Sequence, residues 1–537
     1  MLITEILSRN AGQYGEEVAL IERDPAGHSR REITWAAFDR QANQVARALI
    51  KRGVRKGDRV VHLMMNSLEW LPVYFGILRT GAWVVPLNFR FSAEDIEYCT
   101  TLAEATVLIF GDEFAERVAR VKKALDRCVE TYIFVGPDAS RPDNAESYAA
   151  VLSSGEDTDP GVAIDSGDSA ALYFTSGTTG RPKAVHLTHR NLEFACQVEN
   201  RHHHQTHDDN FLCIPPLYHT GAKMHWFGNF LVGAKAVILK SFQPVDILQA
   251  VSEENATIVW LLVPWAHDIL IAIETGQINL VDYDLSRWRL MHIGAQPVPP
   301  ALINRWKTVF PHHDYDTNYG LTECTGPGCV HLGIENTHKV GAIGVPGFGW
   351  SCMIVDFDAW INQGRLAPAP PGATGELAVR GDGVMKEYYK NPEASEATIK
   401  DGWLLTGDIA RQDEDGFIWL VDRAKDVIIT GGENIFPAEI ESFIMDHPKV
   451  QDVAVIGYPD DRLGEIALAI VKVKPAQTLT EAEFMQFCGG LPRYTRPRKV
   501  IFADVPRSPT GKIEKPKLRK MYTGHAGVLG NNRLLMP

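Results

Sequence analysis

The first hundred residues switch repeatedly between two hydrophobic periods, and this alternation limits the possible folds more than any other feature. Phe38, Ala42, Val45 and Leu49 recur at spacings of four, three and four, which lays one apolar stripe along a helix ending near Gly53. Val60 to Met64 then reads as a buried strand. Ser67 to Arg79 reads as a helix, with Pro72 near its start and Gly81 just past its end, and Trp83 to Val85 is a strand again. Strand, helix and strand at this spacing imply βαβ units and an α/β protein. At 537 residues the chain exceeds what one hydrophobic core usually fills, so two or more domains are expected.

Composition narrows the class of partner. With 45% hydrophobic and 23% charged residues, the chain has the make-up of an ordinary soluble globular protein. Its net charge of −13 argues against nucleic acid as the main partner, while remaining compatible with a local basic pocket for one phosphate. The eight cysteines are scattered without a CxxC pair and, with no secretory signal, read as free thiols in a reducing cytoplasm. Thr257 to Ile273 is the longest apolar stretch, but it contains Pro264, His267 and Asp268 and reads as a core strand and helix rather than a membrane span. Ala367 to Gly372 (APAPPG) reads as a surface turn ahead of a strand from Glu376 to Arg380. The pattern changes again near Val421 to Asp426, and the remaining stretch of about a hundred residues is enough for a small second domain.

Thr175 to Lys183 reads TSGTTGRPK and packs four hydroxyl side chains, two glycines and a lysine into nine residues. Glycines let backbone amides approach a ligand, hydroxyls donate to phosphate oxygens, and Lys183 can add a charge-assisted contact. The loop lacks the GK[ST] ending of a Walker A motif. It also lies between two strand-like runs, Leu172 to Phe174 and Ala184 to Leu187, with Thr188 placed to cap a following helix. Composition alone leaves both a polyphosphate loop and a Ser/Thr/Gly surface turn open.

In order along the chain come YGLTE (Tyr319 to Glu323), GEL (Gly375 to Leu377), WLLTGD (Trp403 to Asp408), DRAKD (Asp422 to Asp426), GGENIFPAEIE (Gly431 to Glu441) and PRSPTGK (Pro506 to Lys512). Together with TSGTTGRPK, this series resembles the acyl-adenylate-forming superfamily of AMP-dependent acyl-CoA synthetases, peptide-synthetase adenylation domains and firefly luciferase. The resemblance runs from the Thr34-Trp35 region to about Lys520. It implies a large multi-subdomain N-terminal domain of mixed sheets and helices over residues 1–424. A small, mobile α+β C-terminal domain over 425–537 would rotate about a hinge at Lys425.

The resemblance also implies residue roles. Nucleotide contacts fall to Thr175, Ser176, Gly177, Thr178, Thr179, Gly180 and Lys183 in the loop. Gly294, Ala295, Gln296 and Asn318 would surround the base, and Tyr319 would stack on adenine with Gly320 and Thr322 beside it. Asp408 and Arg423 would hold the ribose or phosphate; taken alone, Gly407-Asp408 would read as a common turn. Glu323 would hold the Mg²⁺ that accompanies ATP. Lys512, Glu323, Thr178 and His219 are the implied catalytic residues, and Gly431, Gly432 and Glu433 would line a pantetheine tunnel for coenzyme A.

Between Phe211 and Phe242 there is no acidic residue to pair with an amino acid's ammonium group, which favours an apolar acyl group. His219, Trp226, Phe227, Trp265 and Gly294 are the candidate acyl-pocket residues, and they suit a medium-chain, alicyclic or aryl carboxylate. Lys223 reads either as a partner for a second carboxylate in a diacid or as an exposed loop lysine. Arg201 to His207 (RHHHQTH) reads as a structural loop, although His204 and His207 form an i, i+3 pair beside Asp208 and Asp209. The expected reaction is acid plus ATP giving acyl-AMP and pyrophosphate, then a thioester with coenzyme A and release of AMP. The alternatives are loading of a carrier protein in trans and a non-catalytic nucleotide or acyl-adenylate sensor. A cytoplasmic location is expected, with a homodimer as one assembly open to the chain.

Overall fold

The computed structural model describes residues 1–175, 181–294, 298–356, 359–360, 364–431, 433–507 and 513–523. The chain divides into two compact units, Met1–Ser351 with Arg380–Ile399, and Cys352–Val379 with Lys400–Pro537.

The first unit is built on two sheets among the described residues. One has the order Glu387–Tyr388, Lys183–Thr188, Ser169–Thr175, Trp83–Pro86, Arg59–Leu63, Val107–Gly111, Thr131–Val135 and Glu146–Ser147. Its strands are parallel from Ser169–Thr175 to the far edge, while Lys183–Thr188 and Glu387–Tyr388 add antiparallel. The other sheet has a parallel centre of Lys235–Leu239, Asn210–Cys213, Ile258–Leu262, Leu290–Gly294 and Asp314–Tyr319. The first four of those strands carry the apolar runs AVIL, FLC, IVWLL and LMHIG because a parallel strand is covered on both faces.

Helices form where the spacing predicts them. Trp35–Lys51 is capped by Thr34, whose hydroxyl accepts from the Ala37 amide at 3.2 Å, and Phe38, Ala42, Val45 and Leu49 are all buried. It packs on Trp70–Arg79 so closely that a Cβ on Gly76 would lie 2.6 Å from Val45. The apolar stretch after Thr257 is the strand Ile258–Leu262 followed by the helix Val263–Glu274. Among the described residues no helix is long and apolar enough to cross a membrane. All eight cysteines are unpaired.

The second unit carries an antiparallel sheet containing Ser351–Val355, Thr374–Arg380, Trp403–Gln412 and Ile418–Arg423. A further sheet pairs Glu433–Ile435, Ile428–Thr430, Gly464–Val473, Val450–Asp460 and Lys499–Phe502, with the helices Pro437–Met445, Glu481–Phe487 and Lys515–Thr523. Along Val450–Asp460 the side chains alternate between two cores. Val453 and Val455 join Ile440, Ile444 and Phe484, while Ala454 and Ile456 join Leu518. The architecture is therefore the expected mixed α/β one, with a large first unit and a smaller α+β part.

One local expectation is overturned. The RHHHQTH segment is not a loop at its start, because Arg201, His202 and His203 form the last turn of the helix His189–His203. A capping box at Thr188 and Asn191 starts that helix, and the left-handed His204 ends it.

Candidate functional site

The glycine-rich segment joins two paired strands. Thr175 stands opposite Lys183 in an antiparallel ladder, and Phe174 stands opposite Ala184. Lys183 projects its ammonium over the Tyr388 ring at 4.7 Å. Ser176, Gly177, Thr178, Thr179 and Gly180 lie outside the described residues, as do Ala295, Gln296, Gly432 and Lys512.

Two adjacent strand ends bring the next group together. Leu290–Gly294 and Asp314–Tyr319 run parallel, with His292 beside Asp316 and Ile293 beside Thr317. A Cβ on Gly294 would sit 3.7 Å from Asn318 Oδ1 and 3.9 Å from Trp260 Nε1. Tyr319 is buried, and Gly320 follows where a Cβ would come 2.5 Å from the Gly326 carbonyl oxygen, so no side chain fits there. The chain then makes a single 3₁₀ turn, Thr322–Cys324. The Tyr388 hydroxyl donates to Glu323 Oε1 at 2.8 Å and so orients that carboxylate. Burial first, and then the Glu323 carboxylate, push the Tyr388 phenol up.

The helix Thr220–Leu231 supplies a second wall. His219 caps it, its Nδ1 accepting from the Gly221 amide at 3.1 Å. Further along, His225 Nδ1–H donates to the Gly221 carbonyl oxygen, and Asn318 Nδ2 donates to His225 Nε2 at 2.9 Å. His225 also stacks on Trp260, with centroids 4.5 Å apart and planes at 14°. Trp260 is thus the aromatic that meets Gly294 and Asn318, and nothing in its apolar strand distinguishes it from core. Trp226 and Phe227 pack toward Phe230, which in turn meets Trp35 and Phe75. Trp265 stacks on the exposed Phe242 at 6.0 Å.

Lys223 is not an exposed loop residue. It is wholly buried on this helix, donating to the Leu217 carbonyl oxygen at 3.1 Å with Tyr173, Tyr74 and Trp70 around it. Burial holds its ammonium well below the ordinary lysine range.

Behind Asn318 lies a buried group that the sequence does not reveal. His203 Nε2 is 2.9 Å from Asp316 Oδ2 and 2.9 Å from His292 Nδ1, and all three residues are fully buried. His203 Nδ1 stands 3.1 Å from Glu199 Oε2, and His331 Nδ1 stands 3.5 Å from Asp316 Oδ2. Burial opposes charge on His203, but Glu199 and Asp316 outweigh it and hold the imidazole up at about 9. His203 comes from the histidine-rich run, yet its partners lie between four and 128 positions away along the chain (199 to 331). The paired His204 and His207 do not converge: His204 caps the helix, and His207 stacks on Tyr14 at 4.0 Å.

In the second unit Asp408 is no turn residue. It lies buried inside the strand Trp403–Gln412, directly opposite Arg423, whose Nε reaches Asp408 Oδ1 at 2.6 Å. The neighbouring Glu376 accepts from the Gly407 amide through Oε1 at 2.8 Å, while its Oε2 has no partner among the described residues. Burial, with Asp408 adding to it, raises the Glu376 carboxyl to about 7. Lys425 sits in the short turn Ala424–Asp426 that leads into Ile428–Thr430, and burial lowers its ammonium. Gly431, at φ +58°, precedes the strand Glu433–Ile435.

A family model described as AMP-binding enzyme matches residues 7–389, and one described as AMP-binding enzyme C-terminal domain matches residues 439–512. The chain is 32% identical to the long-chain-fatty-acid–CoA ligase FadD13 of Mycobacterium tuberculosis over 493 residues, covering 91% of this chain and 93% of the relative. It is 33% identical to a feruloyl-CoA synthase of Amycolatopsis over 506 residues, covering 92% and 95%. The crystal structure of the anthranilate CoA ligase AuaEII in complex with anthranoyl-AMP superposes with a TM-score of 0.84 at 27% identity, covering 97% of each chain.

Proposed function

Since this chain belongs to the AMP-binding enzyme family, within the superfamily of AMP-dependent acyl-CoA synthetases, and is an AMP-forming CoA ligase, we propose that its acid is a medium-chain, alicyclic or aryl carboxylate. The observation that carries this reading is the group formed by Gly221, His225, Trp260, Gly294 and Asn318. A stacked aromatic pair faces a glycine, and the nearest carboxylate, Glu199, already stands beside histidines. Among the described residues an ammonium-bearing acid would find no unclaimed counter-charge there.

The carboxylate attacks the α-phosphorus of ATP, pyrophosphate departs, and acyl-AMP forms. The thiol of coenzyme A then attacks the acyl carbon and AMP leaves. Asn318 has its amide nitrogen committed to His225, which leaves its carbonyl oxygen on the Gly294 side as an acceptor for the exocyclic amine of adenine. Tyr319 offers a stacking face to the base. Asp408 suits the two ribose hydroxyls because a carboxylate accepts through two oxygens. Glu323, oriented by Tyr388, is the residue that would hold the Mg²⁺ neutralising the phosphates, since magnesium takes a carboxylate together with phosphate oxygens. Lys512 would lower the repulsion between the acid and the α-phosphate, and Lys425 would act as the hinge between half-reactions. The division at residues 424 and 425 belongs to the same proposal.

The test is pyrophosphate release from ATP and Mg²⁺ against a panel of acids, with and without coenzyme A. Release with aryl, alicyclic or medium-chain acids is expected, continuing to turnover with coenzyme A. Lys512→Ala should cut the adenylation rate by roughly a hundredfold to a thousandfold, as removal of one charge-stabilising donor does elsewhere. A panel that responds only to long-chain fatty acids or amino acids would overturn the substrate class.

A further inference from the structure

Three nitrogen and oxygen atoms on three secondary-structure elements converge in the first unit, and His331 on a fourth approaches one of them. His203 ends the helix His189–His203, His292 lies in Leu290–Gly294, Asp316 in Asp314–Tyr319, and His331 in Val330–His331. The register sets them side by side: His292 is the ladder partner of Asp316, and His331 is the partner of Asn318, two residues on and on the same face as Asp316.

The outer atoms of these side chains identify which lone pairs point inward. His331 Nε2 is 3.2 Å from the carbonyl oxygens of Pro327 and Gly328, which can only accept, so Nε2 carries the proton. That leaves a lone pair on His331 Nδ1, which is buried with no hydrogen-bond partner among the described residues and aimed at the Asp316 carboxylate. Glu199 beside His203 Nδ1 favours the proton there, so a metal ion that displaces the other proton of the imidazolium would meet the Nε2 lone pair facing Asp316 and His292. Asp316 Oδ1 accepts from the Gly333 amide at 2.9 Å, and Oδ2 is left at the point of convergence.

Acceptors thus face one another in a place closed to water, which costs free energy unless something positive lies among them. A proton bridges two atoms, whereas three converge here. Tetrahedral zinc with bonds of about 2.0–2.1 Å sets its ligand atoms about 3.3 Å apart. The separations of 2.9 Å from His203 Nε2 to Asp316 Oδ2 and to His292 Nδ1 lie a little inside that spacing. Two imidazoles and one carboxylate suit zinc, and a carboxylate or carbonyl behind a ligating histidine is the usual outer support of such a site.

We infer that His203, His292 and Asp316 form a buried, structural binding site for a divalent transition metal ion, with zinc the ion their chemistry favours and His331 standing beside Asp316 at its edge. The site ties the helix to the two strands that carry Gly294, Asn318 and Tyr319. It fixes the floor of the nucleotide and acyl region without touching a reacting atom. Its readout is metal content and does not depend on which acid the enzyme takes.

The experiment measures zinc by elemental analysis in the full chain, purified without a polyhistidine tag and equilibrated with Zn²⁺. One zinc ion per chain is expected, falling to background in Asp316→Asn and His292→Ala. Because a core variant can fail to fold, cobalt is also exchanged into the unmodified chain. Intense visible ligand-field bands, shifted from those of hexaaquo cobalt, are expected from a tetrahedral nitrogen and oxygen set. An unmodified chain that takes up neither zinc nor cobalt would overturn the inference, as would folded Asp316→Asn that keeps the same zinc.

Discussion

Each unit holds a cluster of buried carboxylates, around Asp316 in the first and Asp426 in the second, and the cations that face these two clusters differ. In the second unit Arg519 reaches Asp426 at 2.6 Å and Lys515 reaches Glu441 at 2.9 Å, and all four side chains are largely buried. In the first unit the ion-pair partners of Asp316 and Glu199 among the described residues are all imidazoles. Arginine and lysine bring a permanent or strongly held charge, so the second cluster is complete in itself. Histidine is charged only when protonated, so the first cluster depends on what it binds, a proton or a metal. Glu376 is a third case: with no cation against it among the described residues, the carboxyl keeps its proton up to about 7. A buried carboxylate can therefore be paired for good, paired conditionally, or neutralised, and the chain uses all three.

The sharpest way to break this contrast is to remove a permanent cation. Arg519→Ala leaves Asp426 buried beside fewer charges and should destabilise the second unit by about 3–5 kcal/mol, read from denaturant unfolding. A loss well under 1 kcal/mol would mean that the pair is not the closed unit described.

The neutralised carboxyl should give the next largest effect. Between the ordinary value of 4.5 and about 7 the folded chain holds the Glu376 proton that the unfolded chain has released. Stability therefore falls as pH rises through that window, by on the order of 2–3 kcal/mol from this group. Glu376→Gln should flatten that part of the pH profile and be the more stable form above it. Parallel profiles for the two chains would show that Glu376 ionises normally.

An exposed ion pair provides the lower bound. Lys449 meets Glu483 at 3.1 Å on the surface, where water and salt screen the attraction. Lys449→Ala should leave the unfolding midpoint unchanged, and a clear drop would place this pair with the buried ones.

What could be read in advance follows from locality. The helix Trp35–Lys51, the strands flanking Thr175 to Lys183 and the cap at Thr188 each depend on residues within a few positions of one another, so periodicity and capping chemistry located them. The motifs around Tyr319, Glu323 and Asp408 were likewise visible as short runs of residues. The histidine-rich run was visible but misread, because a run of imidazoles shows neither which one turns inward nor what meets it.

The sequence by itself determined the α/β class, the order of the motifs and the family to which the chain belongs, since all of these are written in local patterns. Only the tertiary structure decided that Lys223 is buried among aromatics, that Trp260 rather than Trp265 stands beside Gly294, and that His203 meets His292, Asp316 and His331. Those contacts arise when strands from distant parts of the chain come into register, and no spacing along the chain encodes a distance across a sheet.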